Sequence, residues 1–396
     1  MNKNILSTGV QEFINKNRNT DIVSVLLKKV TFEGVGTKEL VQQIEAKKKC
    51  ESKLPMWFQT EGIYYPDKLN IEQTSSETTA QYKANLVNGK SMIDLTGGYG
   101  VDDYFFSKNF EQVIHCEINK NLSEIAAHNY VKLGAKNIQC IPENGLHFLE
   151  GSTQNFDWIY IDPSRRNDTK GKVFMLSDCL PDVPNNLSLL FDKAPNILIK
   201  TSPLLDFTIG KNELDFVKEI HVVAVKNEVK ELLWILEKGY HGEITIKTIN
   251  FNTERDEKFQ FDWVDEKRNI SHFGPPQTYL YEPNAAVLKS GAFKTVGNIY
   301  RLKKLHEHSH LYTSDTLIDF PGRSFRIEKM IPYNKKAIQQ LGIRKANVTT
   351  RNFPESVASI RKKHKLKDGG DVYLFFTTTI DGNYCVLQCS KIQDIN

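Results

Sequence analysis

The 396-residue sequence has no apolar run of about 18 residues or more, so no membrane-spanning helix is expected. It has only six cysteines, widely scattered, and none forms a CxxC pair. Cys385 and Cys389 stand close together, but no neighbouring His or Cys completes a zinc tetrad, so no metal is expected. There is no internal repeat and no low-complexity tract. The opening stretch, MNKNILSTGVQEFINKNRNT, spreads charge and amides through its apolar positions. It lacks the apolar h-region and small-residue cleavage site of a secretory leader, and a cytoplasmic protein with reduced thiols is expected.

What is present is an ordinary soluble composition with an uneven charge. The formal net charge is +4, yet Arg323 to Lys367 alone hold thirteen Lys or Arg against two acids, a local net of +11. A basic module on an otherwise acidic body points to an anionic polymer as partner.

Residues 1–75 read as helical. Asp21 to Lys29 and Thr37 to Lys49 carry apolar residues at helical spacing, the second with Thr37 as N-cap, and Glu72 to Leu86 reads as one further helix. From Ser91 short apolar runs alternate with helical stretches. The runs are Met92–Leu95, Val113–Cys116, Ile138–Ile141, Trp158–Ile161 and Ile197–Lys200, spaced as βα units are. Two further runs, His221–Val225 and Leu232–Leu236, are too close for a helical crossover and should pair antiparallel. Five parallel strands and a terminal hairpin make an α/β domain over 76–250. Residues 251–322, with a strand-like run just before them and a Pro-rich joint, read as a small linking domain. Residues 323–396 read as a basic α+β domain, its last two strands joined by an Asp381-Gly382 turn.

The chemistry concentrates at the strand ends. Asp94-Leu95-Thr96-Gly97-Gly98-Tyr99-Gly100 leaves the first strand and enters a helix at Val101. Glycines there permit positive φ and a close approach of backbone to ligand. No Walker lysine follows, which excludes a P-loop, and the GxGxxG spacing of dinucleotide folds is absent. The acid precedes the glycines, and the next strand runs into Glu117, placed to accept from ribose hydroxyls. Asp94 can serve a cationic amino group and the helix N-terminus a carboxylate. That set fits S-adenosylmethionine better than NAD. Glu143 and Asn144 both offer a polar group to the adenine amine. Asp162-Pro163-Ser164-Arg165-Arg166 follows the fourth strand at the carboxyl edge, where Asp162 would orient or deprotonate a nucleophile and the arginines hold an anion. Lys200 and Ser202 would line the substrate side, and Lys362, Lys363 and Lys365 would grip phosphates.

Together these residues resemble the class I (Rossmann-like) S-adenosylmethionine methyltransferases. They are similar above all to a bacterial group with a THUMP-like C-terminal domain, typified by a Bacteroidetes methyltransferase with an inserted ferredoxin-like domain. The carriers are EQTSSETTAQYKA (72–84), DLTGGYGVD (94–102), IDPSRR (161–166), KTSPLLD (200–206), KNEVKELLW (226–234) and IRKKHKLKDGGDVYLF (360–375). The resemblance implies a seven-stranded sheet, S-adenosylmethionine as cofactor and RNA (tRNA or rRNA) as substrate. It also implies that Gln73, Ser75, Ser76 and Thr78 lie near the cofactor. Ser164 and Arg165 stand where many base-amino methyltransferases have a second proline and an aromatic, which leaves the acceptor atom open. Cys179 reads as a buried spectator thiol. Two readings compete: a methyltransferase of proteins or small molecules, and a non-catalytic RNA-binding protein with a retained cofactor pocket.

Overall fold

The computed structural model describes residues 1–27, 32–165 and 175–392. The chain divides into two units, Met1–Val217 with Trp234–Tyr240, and Lys218–Leu233 with His241–Asn396.

The first unit opens with helices α1 (Thr8–Lys16), α2 (Ile22–Leu27), α3 (Thr37–Lys53), α4 (Pro55–Gln59), α5 (Lys68–Gln73) and α6 (Glu77–Leu86). Lys28 and Lys29, the end of the helix expected from Asp21, lie outside the described residues. Gly36, not Thr37, caps α3, and Glu39 Oε2 accepts from its backbone N–H at 2.9 Å. The single helix expected over Glu72–Leu86 is two. Ser76 is extended and its Oγ accepts from Thr79 N at 3.2 Å, so it starts a new helix instead of continuing α5. The interruption leaves Thr74 and Ser75 outside both helices.

Alternating elements follow: β1 (Gly89–Asp94), α7 (Val101–Phe106), β2 (Phe110–Cys116), α8 (Lys120–Lys132), β3 (Ile138–Ile141), α9 (Gly145–Gly151) and β4 (Trp158–Ile161). A short ribbon of β5 (Ser164–Arg165) and β6 (Cys179–Leu180) precedes α10 (Val183–Lys193), β7 (Asn196–Thr201) and α11 (Phe207–Glu213). The strands β3-β2-β1-β4-β7 pair in parallel. Ile93, Ile114, Ile159 and Ile197 are buried in it, as strands covered on both faces require.

Next come β8 (Val217–Val225) and β9 (Glu228–Glu237). Both strands extend into the polar stretch between the two apolar runs and leave only Lys226-Asn227 as the turn, with φ of 51° and 61°. Positive φ at both central residues matches the twist of a tight hairpin. β10 (Thr245–Phe251) pairs parallel with β8, and β11 (Glu257–Asp262) antiparallel with β10. The sheet therefore has nine strands, in the order β11-β10-β8-β9-β7-β4-β1-β2-β3, where seven were expected. The extra pair covers the outer edge of β8 and buries Ile246, Ile249, Phe259 and Phe261.

On β8, Glu219 accepts from His221 Nε2 at 2.9 Å and Lys247 Nζ at 2.7 Å. The His221 hydrogen bond, with help from Lys247, holds its carboxyl down to about 2 against the burial that would raise it. A depressed carboxyl contributes stability above its unfolded value and loses it as pH falls. Unfolding free energy measured from pH 5 to 2 should drop by about 2 kcal/mol more in the wild type than in Glu219→Gln. Equal acid limbs would remove this pair from the stability of the unit.

The second unit continues with α12 (Asp265–Arg268), β12 (Tyr279–Pro283), α13 (Ala285–Ser290), α14 (Thr295–Ile299), β13 (Lys303–Lys304) and β14 (Tyr312–Ser314). It ends with β15 (Gly322–Pro332), α15 (Lys335–Gln340), β16 (Asn347–Arg351), α16 (Val357–His364), β17 (Val372–Thr378) and β18 (Tyr384–Lys391). These strands form one sheet, β13-β14-β12-β15-β18-β17-β16, so the linking segment and the basic module share it. Alternation along β17 and β18 explains how. Leu374, Phe376 and Val386 pack with Ile338 and Ile360 of the two helices. Phe375, Cys385, Leu387 and Cys389 pack on the other face with Leu280, Leu305 and Leu311. Both cysteines are thus core residues. No helix among the described residues is long and apolar enough to cross a membrane.

Candidate active site

At the carboxyl ends of β1 and β4, a cavity is lined by Asp94, Thr96, Gly97, Gly98 and Tyr99, by Val101 and Asp102 of α7, and by Tyr160 and Asp162. Asn70, Gln73, Thr74 and Ser75, from α5 and the break after it, complete the wall. Of the residues assigned to the cofactor by resemblance, Gln73 and Ser75 reach this cavity. Ser76 does not line it, being the cap of α6, and Thr78 is exposed on the helix.

The three glycines do different work. Gly98 has φ +58°, and a Cβ there would meet only Thr96 O, at 3.7 Å, so its face stays open to a ligand. Gly97 is pressed against His115, whose ring would lie 2.3 Å from a Cβ. Gly100 combines φ +80° with Tyr130 Oη 1.9 Å from where a Cβ would be. Gly100→Ala should therefore cost about 3 kcal/mol in a denaturant melt, from strain and overpacking combined. A cost below about 1 kcal/mol would mean that the loop relaxes freely.

Two acidic clusters lie beneath this loop. Asp94 is 1% exposed; its Oδ1 accepts from Thr96 N at 2.7 Å and Thr96 Oγ1 at 3.0 Å. Beside it, fully buried Asp103 meets His115 Nδ1 at 2.6 Å. Burial, reinforced by mutual repulsion, raises Asp94 well above the usual carboxylate range, and burial likewise raises Asp103. Burial favours neutral His115. Asp94 is thus tied into the floor of the loop. Asp102 differs. Its burial would raise it, but attraction to Lys83, then Lys200, and hydrogen bonds from Tyr160 and Ser75 bring it below the usual range. Asp102 Oδ2 accepts from Ser75 Oγ at 2.9 Å and Tyr160 Oη at 2.8 Å. Its Oδ1 faces fully buried Lys83 Nζ at 3.2 Å without accepting a hydrogen bond from the described residues. Of Asp94 and Asp102, it is Asp102 whose surroundings favour the carboxylate form, and it was not among the site residues expected from the sequence. Its signal was the acid pair in the first turn of α7.

Glu117 follows β2 and holds the loop from outside, accepting from Gly98 N at 2.9 Å and Asn119 N at 2.7 Å. A carboxylate has further lone pairs for a ligand. Asn144 Oδ1 is committed to the N-terminus of α9, accepting from Leu146 N at 3.0 Å and His147 N at 3.2 Å. Of the two candidates for an adenine amine, exposed Glu143 keeps the freer acceptor.

The edge after β4 is anchored by Thr96, whose Oγ1 accepts from Asp162 N at 2.7 Å. Asp162 pairs with Lys200, on β7. Pro163 is buried, Ser164 is exposed, Arg165 closes β5, and Arg166 lies outside the described residues. Ser202 serves its own turn, accepting from Leu204 N at 3.2 Å. Lys53 donates to Ile71 O at 2.9 Å and Glu72 O at 2.7 Å, tying down the chain that leads into the cavity wall. Burial and then repulsion from Lys200 lower its ammonium to about 8. Cys179 is buried and donates to Met175 O at 3.6 Å.

In the second unit Lys362 and Lys365 are exposed on and just after α16, while Lys363 is held by Glu355 and Tyr333 Oη, both at 2.9 Å. Among the described residues no group of His, Cys, Asp or Glu can hold a metal ion.

A protein from Porphyromonas gingivalis W83, solved as a "putative methyltransferase", superposes on this chain with a TM-score of 0.89 at 32% identity, covering 99% of both chains. This chain belongs to that family, the class I methyltransferases with a THUMP-like C-terminal domain. Within the methyltransferase, residues 279–321 match a ferredoxin-like domain and residues 322–391 a THUMP domain-like family. Other solved structures match part of the chain. An rRNA methylase from Streptococcus thermophilus shows 14% identity over 41% of this chain and 94% of its own, with a TM-score of 0.31. TrmK from M. capricolum, solved with S-adenosylhomocysteine, shows 20% identity over 42% of this chain and 71% of its own, also at 0.31. A search of curated proteins gave no match.

Proposed function

We propose that this methyltransferase transfers the methyl group of S-adenosylmethionine to RNA. The observation that carries the donor side is the convergence of open-faced Gly98, ionised Asp102 and Asp162 on one cavity. The cavity fits such a cofactor. Gly98 leaves an open face on the loop, and Asp102 Oδ1, which faces Lys83 but accepts no hydrogen bond from the described residues, keeps a lone pair for a second cation. In this reading Asp102 takes the cationic amino group first assigned to Asp94. Glu117 takes ribose hydroxyls, and Glu143 takes the adenine amine.

When bound, the cofactor supplies an electrophilic methyl on a sulfonium. The chain's own part is alignment and proton handling. Asp162, fixed by Thr96 through its N–H and by Lys200 through its carboxylate, accepts a hydrogen bond from the acceptor's N–H or O–H and turns its lone pair toward the methyl. Lys200 compensates the charge of Asp162. Ser164, Arg165 and Arg166 are assigned to the same edge, with Ser202 beside it.

The acceptor side rests on the THUMP-like match and on the local charge of +11 between Arg323 and Lys367. Lys362, Lys363 and Lys365 are assigned to phosphates. The test is label transfer from methyl-labelled S-adenosylmethionine into total small RNA from a strain lacking the gene. Label removed by ribonuclease and not by protease is expected. Label removed by protease, or found in small molecules, would replace RNA with another acceptor.

A further inference from the structure

The second unit holds a cavity of about 420 Å³ that the catalytic reading does not use. Its floor is Glu282 on β12, whose side chain is 4% exposed. Two guanidiniums converge on this carboxylate. Arg323, opposite Glu282 in the β12–β15 ladder, donates Nε to Oε2 at 2.9 Å and Nη2 to the same oxygen. Arg351, at the end of β16, brings Nη2 to within 2.6 Å of Oε1. In sheet order β16 is four strands from β12, so the Arg351 contact joins strands that are not neighbours in the sheet.

Here the guanidiniums are 40% and 37% exposed while the carboxylate behind them is almost fully covered. One carboxylate cannot neutralise two guanidiniums, and Lys391 adds a third cation to the lining, while Arg255, a fourth, is paired with Asp319. Of the other lining acids, Glu257 Oε2 is occupied by Asn250 and Asn284 amides at 2.9 and 2.8 Å, and Glu254 is exposed. Gly322 keeps the arrangement in register, because a Cβ there would lie 2.2 Å from Glu282 O and push β15, with Arg323, off β12.

We propose that this cavity is a phosphate-binding pocket for a nucleotide, its phosphate oxygens held by Arg323 and Arg351. Two guanidiniums, one hydrogen-bonded to and one ion-paired with a single carboxylate, suit a tetrahedral oxyanion, and the volume suits a nucleotide rather than a bare ion. The nucleotide can come free from solution or, if the RNA reading above holds, as part of the bound strand.

Full-length protein would be titrated with AMP and with a single-stranded RNA of about ten nucleotides, wild type against Arg351→Gln. Arg351→Gln keeps a donor for Glu282 and removes one charge. Affinity should fall about tenfold, the cost of one charged hydrogen-bond pair. Loss for both ligands assigns the pocket to a strand, and loss for AMP alone assigns it to a free nucleotide. Unchanged affinity for both would overturn the pocket. Arg351→Lys, which keeps the charge and loses the fork, gives the same comparison if Arg351→Gln does not fold, with S-adenosylhomocysteine binding as the check on the first unit. Because the readout is phosphate affinity, a chain that binds AMP through Arg351 and methylates no RNA would overturn the catalytic reading alone.

Discussion

Asp162→Ala should lower kcat for methyl transfer by about 10²- to 10⁴-fold while binding S-adenosylhomocysteine within about twofold of wild type. Asp162 N is pinned by Thr96 Oγ1, the carboxylate is pinned by Lys200, and the side chain remains 36% exposed at the edge of the cavity. A group so held is arranged to meet a second molecule. In the proposed function donor contacts come instead from Gly98, Asp102 and Glu117, which the substitution leaves in place. Asp162→Asn should recover part of the rate, because it keeps an acceptor oxygen for alignment and loses only the charge. Single-turnover transfer measured for the three proteins separates these cases. A rate within a few-fold of wild type for Asp162→Ala would move the catalytic edge elsewhere, and a parallel loss of cofactor binding would make Asp162 a donor-site residue.

The second large effect is on stability. Lys83→Met should cost about 3–5 kcal/mol, because it strands Asp102 as a buried carboxylate. Lys83 is fully buried and faces Asp102 at 3.2 Å, with Ser75 Oγ 3.1 Å from the same ammonium. Removing the ammonium removes the largest influence that lowers the Asp102 carboxyl. The pair's contribution, present at neutral pH and lost as pH falls below the usual carboxylate range, should vanish from the acid limb. Lys83→Met with Asp102→Leu should regain much of the stability and none of the cofactor affinity. Chemical denaturation of all three proteins checks this. A single variant as stable as wild type would mean that water or another group replaces the ammonium.

These residues show how far the sequence could be read. The parallel strands were legible because strands buried on both faces are nearly continuous apolar runs, as in Trp158–Ile161. The strand-end motifs were legible because loops at the carboxyl edge carry the chemistry. Of the extra strands, β10 was legible only as a strand-like run with no partner, and β11 was not legible, since Lys258 and Gln260 interrupt its apolar positions and only the ladder through β10 to β8 shows it as sheet. The break at Thr74–Ser76 was hidden because serines and threonines suit a helix start and a helix body alike until a partner is seen. The exchange of roles proposed for Asp94 and Asp102 was hidden for a related reason. Which of two acids is ionised depends on Lys83, eleven residues before Asp94 in sequence and present only through folding.

The most direct test of the central claim is a calorimetric titration of the wild-type chain with S-adenosylhomocysteine, alongside NADH. The account predicts one site per chain for S-adenosylhomocysteine and no heat with NADH. Binding of NADH, or silence with S-adenosylhomocysteine from a folded protein, would contradict the assignment of this cavity to a methyl donor.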